Sequence, residues 1–256
     1  MCCAYFPCRT ALQRNISLHP PTTPNLTSYG TILPFSKTKV TIVNAVDLSL
    51  YWVVDPDQCG GARATVNLLH KLLPHGISVV QLRAPTWKKR ELLALAQEMR
   101  TLTREANIPF IINDHLDIAL GCEADGLHVG QHDLPLAVAR RWMGEKAILG
   151  LSANQPAHFQ ADDVLLADYL GVGPVFATST KSDAAPPLGV EGLKQCLGLT
   201  RRPVVAIGGI TVENAEQLRD SGVAGLAVVS ALCRAADPVH ACHQLNRAFF
   251  PEIRLF

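Results

Sequence analysis

Eight short apolar runs, rich in β-branched residues, recur between residues 50 and 229, and most are separated by longer stretches with helical periodicity. No other feature restricts the fold as strongly. The runs are Leu50–Val54, Ser78–Leu82, Phe110–Ile112, Gly126–Val129, Ala147–Gly150, Tyr169–Val172, Val204–Ile207 and Leu226–Val229. Each is bounded by Gly, Pro, Asp or Asn, which predicts a buried strand rather than part of a helix. The clearest helical pattern lies at Lys88–Asn107, where Leu92, Leu95, Ala96, Met99 and Leu102 share one face. Leu136–Met143, Val190–Leu197, Val212–Ser221 and Val239–Phe249 are the other predicted helices.

Strands that alternate with helices form a parallel sheet with helical crossovers. Eight such units over about 200 residues fit a compact (β/α)8 TIM barrel. A doubly wound sheet would carry a glycine-rich turn after its first strand, and Val53-Val54-Asp55-Pro56-Asp57 has none. The expected organisation is a single catalytic barrel over residues 47–250, preceded by a short unstructured extension, residues 1–46.

The 256 residues carry 23 Lys+Arg against 22 Asp+Glu, a formal net charge of +1. No global field draws such a chain to nucleic acid or to an anionic membrane. The balance hides two unlike parts. Residues 1–46 contain Arg9, Arg14, Lys37 and Lys39 and no acid, leaving 19 basic and 22 acidic residues in the body, a net of −3. An acid-free, Ser/Thr-rich start resembles an organellar transit peptide, but Pro20, Pro21 and Pro24 spoil a long amphipathic helix. With no run near the roughly 20 apolar residues of a bilayer span, the expected location is the cytoplasm. The eight cysteines show no CxxC and no zinc spacing, so they read as small apolar residues in a reducing compartment.

In a TIM barrel the chemistry sits at the C-terminal ends of the strands. Polar residues gather there: Gln81 and Arg83, Asn113 and Asp114, Gln131 and Asp133, Ser152, Thr178, Thr180 and Lys181, Gly208-Gly209, and Ser230. The glycines after strand seven and Val229-Ser230 after strand eight fall where such barrels commonly bind a phosphate. Asp114 and Asp133 end adjacent strands; each alone reads as a helix cap, while together they suit Mg2+. Arg83 and Lys181 add cations, and the planar fork of Arg83 suits a phosphate. This much positive charge implies a diphosphate and a monophosphate held together, and so a reaction with a diphosphate leaving group. His128, on strand four, reads as a hydrogen-bonded barrel histidine with a general-acid role as the alternative.

As a set these residues resemble the thiamine-phosphate synthase family over roughly residues 50–240. The carriers are Gln81-Leu82-Arg83, Ile112-Asn113-Asp114, the stretch from Ala124 to Asp133, Gly150-Leu151-Ser152, Gly171-Val172-Gly173-Pro174, Thr178-Ser179-Thr180-Lys181 and Ala206-Ile207-Gly208-Gly209-Ile210. The resemblance implies a Mg2+-dependent transferase that couples hydroxymethylpyrimidine diphosphate to a (carboxy)thiazole phosphate, giving thiamine phosphate and diphosphate. It implies Asp114 and Asp133 as metal ligands, and Arg83, Asn113 and Lys181 against the diphosphate. Gln81 and Ser152 would meet the pyrimidine, and Thr178, Thr180, Gly209, Val229 and Ser230 the thiazole phosphate. The catalytic set is then Arg83, Lys181 and Ser152, and the partners are small molecules alone, with self-association into a homo-oligomer left open. Two positions depart from the family pattern. Pro85 stands where a Lys is usual, with Lys88 or Lys89 as candidate replacements, and Asn154 stands where a His is common. A thiazole tautomerase and a non-catalytic barrel that binds thiazole phosphate are the alternatives, and neither needs the diphosphate apparatus.

Overall fold

The computed structural model describes residues 46–178, 180 and 185–249. Eight parallel strands close into a barrel in which each strand pairs with its sequence neighbours and β8 returns to β1. The strands are β1 (Leu50–Val54), β2 (Val79–Leu82), β3 (Phe110–Asn113), β4 (Gly126–Val129), β5 (Ile148–Ala153), β6 (Tyr169–Val172), β7 (Val204–Ile207) and β8 (Gly225–Val228). The helices are α1 (Pro56–Cys59), α2 (Ala62–Leu72), α3 (Lys89–Glu105), α4 (Leu116–Gly121), α5 (Leu136–Met143), α6 (Asp163–Leu166), α7 (Gly189–Leu197), α8 (Ser230–Cys233) and α9 (Pro238–Phe249). The expected (β/α)8 TIM barrel is the observed fold.

Alternation along each strand divides the core in two. On β1, Leu50, Trp52 and Val54 point outward into the layer between sheet and helices, while Tyr51 and Val53 join Val79, Ile111, Ile148, Tyr169, Val205 and Ala227 inside the barrel. Both faces are therefore buried, which is why the strands read as unbroken apolar runs. The periodic face of α3 is covered as expected, with Leu92, Leu95, Ala96 and Met99 buried.

Two of the expected elements differ by more than two residues at an end. β5 runs three residues past Gly150, because Ser152 and Ala153 find parallel partners in Gly171 and Val172 of β6. Ser152 thus sits on a strand rather than in the loop after it. The helix expected over 212–221 shrinks to one 3-10 turn, Ala215–Leu218. There the Asn214 side chain accepts from Thr211 N at 2.8 Å and donates to Gly209 O at 2.8 Å, offering the backbone partners that a helix would otherwise supply.

The extension expected over 1–46 lies, apart from Val46, outside the described residues. Among the described residues no helix is long and apolar enough to cross a membrane. Cys59, Cys122, Cys196, Cys233 and Cys242 are free thiols.

Candidate active site

The site is built where β3 and β4 end. Asp114 follows β3 directly, with φ of 61°, a conformation few non-glycine residues adopt. Asp114 N donates to His128 O on β4 at 2.8 Å, and His115 N donates back to Asn113 O at 2.8 Å, so the chain reverses tightly around this one residue. Such a reversal is strained, and backbone strain of this kind collects at functional sites. Asp133, in the loop after β4, accepts from Gly130 N at 2.8 Å through Oδ2. The loop is thereby folded back so that the two carboxylates become neighbours.

Their electrostatics follow from that arrangement. The Asp114 carboxyl is pushed up to about 6, first by burial and then by the Asp133 carboxylate beside it. The charge of Arg83 and a hydrogen bond from the Asn113 side chain pull it down without cancelling the rise. Neither aspartate is a helix cap. His115 is the N-cap residue of α4 and Pro135 that of α5, and no side chain caps either helix. The capping role that would have made these residues structural is absent.

Arg83 is fixed by its backbone, since its N–H donates to Val54 O at 2.9 Å as β2 ends. Of the two candidate replacements for a cation at Pro85, Lys89 reaches the start of α4. Its Nζ lies 2.8 Å from His115 Nδ1 and 2.9 Å from Asp117 Oδ1. Burial and the Lys89 charge both hold the His115 imidazole below its ordinary pKa.

On the opposite side of the mouth, the loop after β6 is stitched to the end of β7. Val175 N donates to Ile207 O at 2.9 Å and Phe176 N to Gly208 O at 3.0 Å. A Cβ on Gly209 would lie 2.4 Å from Ala177 O, and φ there is 66°, so only glycine lets the two segments close. Thr178 follows Ala177 directly at this crossing, and Thr180 N donates to Thr178 Oγ1 at 3.2 Å. Val229 and Ser230 follow β8, where Ser230 opens α8. Lys181 lies outside the described residues.

Between the two sides runs a chain of buried polar side chains. Gln81 Nε2 donates to Tyr51 Oη at 2.8 Å, and Tyr51 Oη lies 2.7 Å from Tyr169 Oη. Tyr169 Oη lies 3.0 Å from His128 Nδ1, and His128 Nε2 lies 2.9 Å from Ser152 Oγ. Burial pushes both tyrosine hydroxyls above their ordinary pKa and His128 down to about 4, so all three are neutral at neutral pH. Gln131 Nε2 donates to Ser152 O at 2.6 Å and so fixes the far end. His128 is thus hydrogen-bonded through both nitrogens, which supports the structural reading of that residue over general-acid use. Tyr51 and Tyr169 went unread in the sequence because each sits inside an apolar strand run, where an aromatic residue signals core.

The family model described as thiamine monophosphate synthase matches residues 50–232. The thiamine-phosphate synthase of Laribacter hongkongensis is 48% identical over 200 residues, covering 78% of this chain and 94% of the relative. That of Moorella thermoacetica is 45% identical over 195 residues, covering 76% of this chain and 93% of its own. Among solved structures, a thiamine phosphate pyrophosphorylase from Pyrococcus furiosus matches with a TM-score of 0.71 at 33% identity, covering 80% of this chain and 96% of that one.

Proposed function

The chain belongs to the thiamine monophosphate synthase family, its chemistry is that of a transferase in thiamine biosynthesis, and we propose that its barrel mouth couples hydroxymethylpyrimidine diphosphate to a (carboxy)thiazole phosphate. The products are thiamine phosphate and diphosphate, with CO2 released as well when the thiazole carries the carboxyl group. The observation that carries this reading is the carboxylate pair Asp114 and Asp133, set beside Arg83 and used by no helix as a cap.

The donor set fits Mg2+. Two neighbouring carboxylates, with Asp133 disfavouring ionisation of Asp114, form the all-oxygen arrangement that a hard divalent cation relieves. Asp114 and Asp133 would hold the ion, which when bound neutralises negative charge on the diphosphate. Arg83 grips phosphate oxygens with its fork, and Asn113 and Lys181 add donors. Gln81 and Ser152 hold the pyrimidine ring. Thr178 and Thr180, the backbone at Gly209 and the segment Val229-Ser230 take the thiazole phosphate.

The bond between the pyrimidine methylene carbon and the diphosphate oxygen breaks first, and the electron pair leaves with diphosphate. Arg83 and Lys181 stabilise the charge that builds there. The methylene cation is then captured by the thiazole nitrogen, which donates its lone pair to form the new C–N bond. Holding both rings in one closed site makes this capture effectively unimolecular. Asn154, just after β5, carries an amide that neither gains nor loses a proton near neutral pH, so it cannot serve as an acid or base for a thiazole tautomerase. The free thiols suit a reducing compartment, and we place the reaction in the cytoplasm.

Incubation of the purified protein with both substrates tests the reading. With Mg2+, thiamine phosphate and diphosphate should appear in equal amounts, and excess chelator should stop both. Intact substrates in the presence of Mg2+ would sink the synthase reading, and undiminished turnover in chelator would sink the metal assignment.

A further inference from the structure

The chain of side chains across the barrel has a logical property that its individual distances do not show. A hydroxyl donates one hydrogen bond, and an uncharged imidazole carries one N–H and one acceptor nitrogen. Gln81 Nε2 donates to Tyr51, and the buried Tyr51 hydroxyl proton is satisfied when it donates onward to Tyr169, and Tyr169 onward to His128 Nδ1. That leaves the imidazole proton on Nε2, which donates to Ser152 Oγ and frees the Ser152 hydroxyl to donate into the mouth. At the other end the Gln81 carbonyl oxygen remains as an acceptor. Turning the Gln81 amide over reverses every bond, and the ends then exchange roles. In both directions Gln81 and Ser152 carry opposite hydrogen-bonding character.

We propose that Tyr51, Tyr169 and His128 are positioning residues, a directional relay that couples Gln81 to Ser152 so that the site selects a ring edge carrying one donor and one acceptor. The proposal rests on the synthase reading for the place of the pyrimidine ring. With the amide as the structure orients it, the complement is a ring amine near Gln81 and a ring nitrogen near Ser152, the pattern of an aminopyrimidine.

Burial and steric fit support the relay. Tyr51, Tyr169, Gln81 and His128 are all buried, so no water competes along its length. Gly150 keeps the central link open: a Cβ there would lie 2.3 Å from both His128 Nδ1 and Tyr169 Cζ. Gly171 clears the other side, where a Cβ would lie 3.1 Å from His128 Cε1.

The test compares the pyrimidine diphosphate with an analogue that carries an oxo group in place of the amine, which inverts the donor and acceptor pattern. Calorimetric titration in Mg2+ buffer measures the affinity of each, beside turnover with the natural pair. Wild type should prefer the amino ring by roughly 100-fold or more, because a mismatched edge leaves buried groups unpaired. In Tyr169→Phe that preference should shrink at least about tenfold, while affinity for the thiazole phosphate stays within about twofold, since a neutral isostere cannot enforce direction. Tyr51→Phe should act the same way and decides the matter if Tyr169→Phe does not fold. An unchanged preference in a folded variant, or no preference in wild type, overturns the relay even where thiamine phosphate is made. A wild type that discriminates between the rings and loses this in Tyr169→Phe, yet makes no product, supports the relay and overturns the synthase reading instead.

Discussion

The two ends of this barrel use the same residue types to opposite purpose. At the N-terminal ends of the strands, Arg100 forks onto Asp125 with two contacts of 2.7 Å, and Asp125 also accepts from Phe110 N at 2.8 Å. The pattern repeats two units on: Arg140 Nη2 lies 2.9 Å from Asp168 Oδ2, which also accepts from Leu149 N at 2.8 Å. Each aspartate stands one residue before a strand, ties down the backbone of the strand before it, and is answered by an arginine from the helix that leads into that earlier strand. At the C-terminal ends, Asp114 faces Asp133, and the charge of Arg83 does not offset burial and that repulsion, so its carboxyl rises to about 6. A matched charge holds the fold together. An unmatched one is useful only when something else arrives to match it, and in a TIM barrel that happens at the C-terminal face.

Between the two faces lies a layer in which no charge is tolerated, and breaking it should give the largest effect on stability. His128 is held down to about 4 by burial, against an ordinary value near 6.5. The unfolded chain therefore binds this proton more readily than the folded one between those values. Its stabilising contribution is complete above pH 6.5 and is lost as pH falls toward 4, by about 3 kcal/mol in total. Urea unfolding at pH 7 and pH 4.5 should show that loss in wild type and a flatter profile in His128→Gln; equal slopes would remove His128 from the account.

Arg100→Ala breaks the lower pattern itself and leaves Asp125 without its partner. Removing one member of a buried pair costs 3–5 kcal/mol in general, but the Asp125 side chain keeps 32% exposure, so about 2 kcal/mol is expected. Turnover per folded molecule should not change, and a loss of turnover with stability intact would contradict the division between the faces. Arg104→Ala sets the floor. Its bond to Glu123 is 60% and 80% exposed on the two side chains, so unfolding should shift by less than about 0.5 kcal/mol. A larger shift would show that exposure is a poor guide at this rim.

Strand positions were legible because burial on both faces leaves an apolar run that only a buried strand explains. Leu50–Val54, Gly126–Val129, Tyr169–Val172 and Val204–Ile207 are observed with the bounds their sequence predicts. Short elements were less legible. α1, α4, α6 and α8 span four to six residues, too few for helical periodicity to register. At the mouth, Asp114 and Asp133 were readable as a pair because adjacent parallel strands must end side by side. Tyr51 and Tyr169 were not, since their hydroxyls acquire partners only when β1, β4 and β6 are brought around the barrel. Local pattern specifies which face a side chain takes, and closure specifies whom it meets there.

The division of labour is tested most directly by the same substitution at both ends, Asp114→Asn and Asp125→Asn, with thiamine phosphate formation and urea unfolding measured for each. Asp114→Asn should lose more than about tenfold in turnover with little change in stability, because it removes a carboxylate whose neighbour repels it. Asp125→Asn should lose about 2 kcal/mol of stability and keep its turnover per folded molecule. Wild-type turnover in Asp114→Asn, or an Asp125→Asn protein that is stable but inactive, would contradict the account.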